Sequence, residues 1–126
     1  TITYSEGYHL EGVDNIIRYI YERIKNHMLR RDEKLIFNPQ KYYISMKGKR
    51  NFAYLYIKKR KIKIDVMLPF EKGQEMIRTN KIRKFTEGVQ KFYGRPCFEV
   101  TIANEENQGE ILDLLVEAYN QDSGKK

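Results

Sequence analysis

The stretch that decides the fold begins Tyr42-Tyr43-Ile44-Ser45-Met46-Lys47 and passes through Gly48-Lys49-Arg50-Asn51 into Phe52-Ala53-Tyr54-Leu55-Tyr56-Ile57-Lys58. It then turns through Lys59-Arg60-Lys61 into Ile62-Lys63-Ile64-Asp65-Val66-Met67-Leu68. Tyr42, Ile44 and Met46 alternate with Tyr43, Ser45 and Lys47. Ala53, Leu55 and Ile57 oppose Phe52, Tyr54 and Tyr56, and Ile62, Ile64, Val66 and Leu68 alternate with Lys63, Asp65 and Met67. A period of two kept through three runs and two tight turns predicts an antiparallel meander with one buried face. Pro69, which has no N–H for a ladder, closes it. Ala53, Leu55, Ile57, Ile62, Ile64, Val66 and Leu68 are expected to face inward. The other face should display Tyr43, Lys47, Phe52, Tyr54, Tyr56, Lys58, Lys63 and Asp65, because successive strand side chains alternate.

On the N-terminal side, Val13, Ile16, Ile17, Ile20, Ile24 and Met28 recur at helical spacing, with Asp14, Arg18 and Glu22 opposite. They predict an amphipathic helix of about four turns, ended by Arg30-Arg31-Asp32-Glu33. Residues 1–12 read as a loop-like arm punctuated by Gly7 and Gly12. Pro39 limits residues 35–37 to a short or edge strand. On the C-terminal side, residues 71–79 suit a short helix and 81–85 a strand or loop. Phe92-Tyr93-Gly94-Arg95-Pro96 reads as a turn. Phe98, Val100 and Ile102 make a later strand. Asn104 is the expected N-cap of a last helix carrying Ile111, Leu112, Leu115, Ala118 and Tyr119, and residues 122–126 should fray. The expectation is a single α+β domain over residues 1–126. Its mainly antiparallel sheet has the N- and C-terminal helices packed on one face, with Ile16, Ile20, Ile24, Leu112 and Leu115 against the strands.

Charge is segregated along the chain. Residues 34–95 hold 17 Lys and Arg against four acids, Asp65, Glu71, Glu75 and Glu87, a surplus of 13. Residues 96–124 hold seven acids and no Lys or Arg. Positive charge interleaved with Tyr and Phe suits a phosphate-bearing partner, through Coulomb attraction, counterion release and base stacking. The expected phosphate contacts are Lys47, Lys49 and Arg50 in one hairpin turn and Lys58, Lys59, Arg60 and Lys63 at the other. Tyr54 and Tyr56 are the expected stacking residues. Truncating Tyr54 is expected to spare much of the fold. The competing explanation is structural: turn cations solubilise and guard sheet edges, and cross-strand Tyr pairs stabilise sheets without any ligand. A second function class is self-association, with the acidic last helix meeting the basic sheet or exposed aromatics pairing in a homodimer.

Enzyme chemistry finds little footing. His9 lies in the arm and His27 near a helix end, where an exposed or capping role is the ordinary one. Cys97 is the single cysteine, so no internal disulfide can form, and a reducing cytoplasmic setting is expected. A restriction-type nuclease needs an Asp on one strand and an acidic-x-Lys pair on the next. Asp65 with Glu71-Lys72 lacks the spacer, and Glu99-Val100-Thr101 lacks the Lys. No zinc-ligand set, RNA-recognition signature or Gly-rich phosphate loop is present. No catalytic residue, metal or cofactor is therefore expected. The apolar runs fall far short of the roughly 20 residues that span a bilayer, so no membrane partner is expected either. The start at Thr1 suits either a cleaved tag or a domain cut from a longer protein, and the second is favoured.

Several short stretches together carry a resemblance. They are Tyr4 with His9-Leu10-Glu11-Gly12, Lys41-x-Tyr43-Ile44-x-Met46-Lys47, and Asn51-Phe52-Ala53. Lys61-Ile62-Lys63-Ile64 with Pro69, Phe98-Glu99-Val100 and the helix over 111–119 complete the set. The chain resembles an uncharacterised prokaryotic domain family with the legacy label "predicted transport protein". Its members are typically found at the C-terminus of longer proteins, behind restriction-nuclease-like or ParB/Srx-like domains. The resemblance implies an accessory domain joined to a catalytic partner that handles DNA. It departs from the family where relatives carry a Gly- and Trp-rich turn. Here Phe92-Tyr93-Gly94-Arg95 stands, and the chain has no Trp. The combined expectation is a non-enzymatic nucleic-acid-binding or targeting module of a nuclease or defence protein, binding DNA before RNA.

Overall fold

The alternation in residues 42–68 becomes a ladder in the computed structural model, which describes residues 2–124. Strands β2 (Ile44–Lys47), β3 (Asn51–Ile57) and β4 (Ile62–Val66) form the expected meander. Edge strand β1 (Ile36–Pro39) precedes it, β5 (Lys81–Lys84) and β6 (Phe98–Ile102) follow, and the order is β1-β2-β3-β4-β6-β5, antiparallel throughout. Ala53 pairs with Val66, Leu55 with Ile64 and Ile57 with Ile62. Ile64 then opposes Val100, and Val66 opposes Phe98. These residues line one face, where successive rows of branched and aromatic side chains exclude water.

Two helices cover that face. α2 (Asn15–Arg31) buries Ile17, Ile20, Tyr21, Ile24 and Met28, one stripe of a 3.6-residue repeat. α5 (Gln108–Ser123) buries Ile111, Leu112, Leu114, Leu115, Ala118 and Tyr119. Ile16, expected in the core, is only half-buried at its margin, and Tyr21 takes the deeper position. α3 (Phe70–Met76) joins the same side. A Cβ on Gly73 would lie 2.6 Å from the Phe98 ring, so glycine lets this helix approach the sheet.

The structure also differs from the sequence expectation at the arm, at Tyr42 and Phe52, and at both ends of the last helix. The arm is not a loop, since α1 (Glu6–Leu10) is capped by Ser5, whose Oγ accepts from the Tyr8 N–H at 3.1 Å. Glu6 accepts from the Tyr21 hydroxyl and, at 2.6 and 2.8 Å, from Lys25 Nζ, fastening α1 to α2. Tyr42 lies outside β2 and is exposed. Phe52 points to the helices rather than outward. Met46 pairs with Ala53 while Lys47 pairs with Asn51, so Phe52 is the extra residue of a β-bulge and its side chain is re-aimed. Its ring is fully buried, 5.9 Å from that of Tyr119.

The last helix also begins later and ends later than expected. Asn104 accepts from the Glu106 N–H at 2.9 Å in a local turn, and Asn107 takes the N-cap position. Asp122 and Ser123 stay helical rather than frayed, with Gly124 in the left-handed conformation at the C-cap. The buried Asp122 carboxylate accepts from the Lys49 and Arg50 backbone N–H groups at 2.8 and 3.1 Å. Thr1 of the arm and Lys125 and Lys126 of the tail lie outside the described residues. Among the described residues no helix is long and apolar enough to cross a membrane.

Candidate nucleic-acid interface

The outer sheet face is built by the other half of each alternation. Tyr54 opposes Asp65, Tyr56 opposes Lys63, Asp65 opposes Glu99 and Glu99 opposes Arg83. Tyr54, Tyr56 and Lys63 thus point away from α2 and α5, as the period-two pattern demands. The face is not fully open, however. α4 (Glu87–Tyr93), hidden in what reads as loop and turn, lies across it. Thr86 Oγ1 caps α4 by accepting from the Val89 N–H, and Gly94 at φ 72 ends it. Beneath α4, Met67, Phe85 and Cys97 form a second small core, with Tyr54, Val89 and Tyr93 packed on it. Tyr54 is half-buried, its ring 5.1 Å from Tyr43 and 5.0 Å from Tyr93. Tyr54 is thus packed against this second core rather than fully displayed.

The predicted cations fall where the hairpins place them. Lys47, Lys49 and Arg50 are exposed at the β2–β3 end, with Arg50 Nε 3.7 Å from the buried Asp122 carboxylate. Lys58, Lys59 and Arg60 are exposed in the β3–β4 turn, and the half-buried Lys63 lies on the outer face beside them. Strand β3 separates the two groups by about 20 Å at the rise of an extended chain. Sequence reasoning missed three further cations. Lys81 and Arg83 enter from β5 across β6 from Lys63, because β5 pairs with β6 and β6 with β4. Arg95 joins the other end, donating to the Asn51 carbonyl at 2.8 Å. Burial, then the nearby Arg50, holds its guanidinium below the usual range. The Lys-x-Arg alternation in 81–84 is the signal that could have revealed β5.

Between the groups, Asp65 and Glu99 sit side by side, a juxtaposition that is destabilising unless each charge is compensated. Arg83 donates to both Glu99 oxygens, at 3.3 and 3.1 Å. Tyr93 donates to Asp65 Oδ2 at 2.7 Å, which leaves its oxygen to accept from Tyr56 at 3.3 Å. Burial, together with Glu99, pushes the Asp65 carboxyl up to about 6 against the pull of Tyr93, Arg83 and Lys63. Burial and the bonds to Tyr56 and Asp65 raise the Tyr93 phenol well above its ordinary range. Burial also pushes the Cys97 thiol up to about 11, the reverse of what a nucleophile needs. His9 is buried, with Nε2 2.5 Å from the Gln40 carbonyl oxygen, and neither histidine lines the cavity that holds Asp65 and Glu99. Among the described residues no three His, Cys, Asp or Glu side chains gather as a metal site would require.

Comparison with known proteins gives kinship without a described activity. The chain is 28% identical over 115 residues to an uncharacterized protein of Haemophilus influenzae, covering 91% of this chain. It spans 37% of the length of that relative. No solved structure matches. Residues 7–122 match the family described as Domain of unknown function (DUF5655), which takes in every strand and nearly all of the helical cover described above. The chain belongs to the DUF5655 family.

Proposed function

We propose that this domain is a non-enzymatic nucleic-acid-binding module, for DNA in preference to RNA, which targets a nuclease or defence protein in the cytoplasm. One observation carries the reading: the two acids at the centre of the outer sheet face, Asp65 and Glu99, are buried and paired. Asp65 is buried and bonded to Tyr93. Glu71 and Glu75 stand on α3 at the margin, lining a groove with Arg50 and Arg95 rather than the centre of the face. Glu99 is buried against Arg83, so Glu87 at the start of α4 is the exposed acid left on this side. Lys47, Lys49 and Arg50 at one end, and Lys58, Lys59, Arg60 and Lys63 at the other, supply phosphate contacts. Tyr54 and Tyr56 offer ring edges between them. A single strand suits this face better than a rigid duplex, because α4 stands up from the sheet and a flexible strand bends around it. The accessory role within a longer protein is supported by a relative nearly three times the length of the matched segment.

The test is titration with single- and double-stranded DNA and RNA across salt concentrations. Neutralising about five phosphates should give a log–log slope near −3.5 on a single strand and near −4.5 on a duplex. Absence of binding at low salt, or binding indifferent to salt, overturns the proposal. A second reading, homodimerisation, is favoured by Ile36 on the free β1 edge and Tyr42 in the β1–β2 connection, both exposed. A dimer mass in solution without nucleic-acid affinity would put that reading first.

A further inference from the structure

Between α4 and the outer sheet face lies a cavity of about 560 Å³, within the range of small-ligand sites. Its floor carries Asp65, only 6% exposed, and Glu99. The two acids differ in what they have left to offer. Both Glu99 oxygens are held by Arg83, whereas Asp65 is held by Tyr93 through Oδ2, and its Oδ1 accepts from no described residue. A carboxylate oxygen that opens on a cavity and is held by no described donor is free to accept an N–H group from outside. The walls are aromatic. Phe92, 85% exposed, stands at 75° to the Tyr93 ring with centroids 5.6 Å apart, an open corner with a free ring face. Lys63 and Arg83 stand at the rim, with the Lys58–Lys59–Arg60 turn beyond.

These features exclude most ligand classes. A cation would suit the aromatic walls, but it would have to pass a rim and turn that are themselves cationic. A plain anion would meet two carboxylates at the floor. What fits both is a neutral aromatic group rich in N–H donors and carried on a phosphate chain. We propose that the cavity receives one unstacked guanine of a single strand, one of its N1–H and N2–H groups donating to the free Asp65 Oδ1 and the other to Oδ2, whose second lone pair the Tyr93 bond leaves open. Guanine is the base that places two donors side by side. Adenine and cytosine set an amino group next to a bare ring nitrogen, and thymine flanks its one N–H with two carbonyls, so each turns a lone pair toward the carboxylate. The base stacks on Phe92 while the flanking phosphates lie near Lys63 and the exposed part of Arg83. This specificity rests on the nucleic-acid reading above and adds to it a choice of base.

The groups facing Asp65 also set a pH dependence. Glu99, Arg83, Lys63, Tyr93, Tyr56 and Cys97 surround it, and burial has already lifted its carboxyl to about 6. Protonation below that value removes the double acceptor, so the preference for guanine fades as pH falls from 7.5 to 5.

The experiment is fluorescence anisotropy with labelled octathymidylate and with the same strand carrying one central guanine or one central inosine, which lacks the N2 amino group. At pH 7.5 the guanine strand should bind about tenfold tighter than either of the others, the worth of one hydrogen bond to a charged group. The margin should close at pH 5, and Asp65→Asn should erase it. Phe92→Ala, at an exposed position where folding is not at stake, should weaken guanine binding severalfold. Equal affinities for the three strands at pH 7.5 overturn the base pocket while leaving the surface reading intact. A guanine preference that survives both substitutions also overturns it. Guanosine monophosphate, followed by chemical-shift changes, separates the two ideas. If it binds and Asp65→Asn abolishes binding, while no oligonucleotide binds, the pocket stands and the surface reading falls. If neither it nor any strand binds, both fall. Tetramethylammonium bound in preference to guanosine monophosphate overturns the pocket in favour of a cation cage.

Discussion

Replacing Asp65 by Asn isolates the electrostatic cost stored under α4. The folded chain lifts this carboxyl from an ordinary 3.8 to about 6, through burial first and Glu99 second. Between those values the native state holds a proton that the unfolded chain has lost. Stability contributed by neutral Asp65 is therefore complete below about pH 4 and drains away as pH rises through 6. A shift of about two units corresponds to at most about 3 kcal/mol. Asn is neutral at every pH, and its carbonyl oxygen can still accept from Tyr93. The variant should match the wild type near pH 4 and exceed it by about 2–3 kcal/mol at pH 7.5, with most of the gap opening between pH 4 and 6. Urea denaturation followed by circular dichroism, at half-unit steps of pH, measures both curves. Glu6 and Glu110, whose accepted hydrogen bonds outweigh burial and lower their carboxyls, titrate in both proteins and cancel in the difference. A difference that stays flat with pH, or a wild type more stable than the variant at pH 7.5, would refute the account of this site.

Other perturbations probe separate parts of the molecule. Ile64→Ala empties a fully buried site in the central strand and should cost about 2–5 kcal/mol in urea denaturation. Asp122→Ala strands the Lys49 and Arg50 N–H groups and should cost about 1–3 kcal/mol, read as a lowered denaturation midpoint. Gly73→Ala drives a methyl group into the Phe98 ring and should cost about 1–3 kcal/mol by the same assay. Neutralising Lys58, Arg60 and Lys63 together as Gln should flatten the single-strand salt slope by about 2, without loss of the cooperative unfolding transition.

What could be read from the sequence was what repeats. The meander and the stripes of α2 and α5 persist over enough residues for a period to emerge, and the inward set from Ala53 to Val66 followed from it. Elements without a period escaped. α1 has five residues and α4 seven, too few for an amphipathic stripe to separate from chance. Phe52 was misplaced because a bulge shifts register, and register is a property of two strands rather than one. The candidate site suffered most from this. Lys63, Asp65, Arg83 and Glu99 are scattered along the chain and become neighbours only through the β4–β6–β5 pairing, which no local pattern encodes. The basic turns were legible because their charges lie together in sequence.

The hold of Asp122 on the β2–β3 turn has a consequence for biosynthesis. The N–H groups it binds precede it by 73 and 72 residues. At about 5–20 residues per second, a ribosome adds that intervening length in roughly 4–15 s. Throughout that interval the turn carrying Lys47, Lys49 and Arg50 lacks the carboxylate that fixes its backbone. The hairpin can pair early, but its cationic tip acquires its final geometry only when the last turn of α5 emerges and docks. One end of the proposed binding surface is thus completed last, so a nascent chain presents unanchored positive charge until its acidic C-terminal helix is in place.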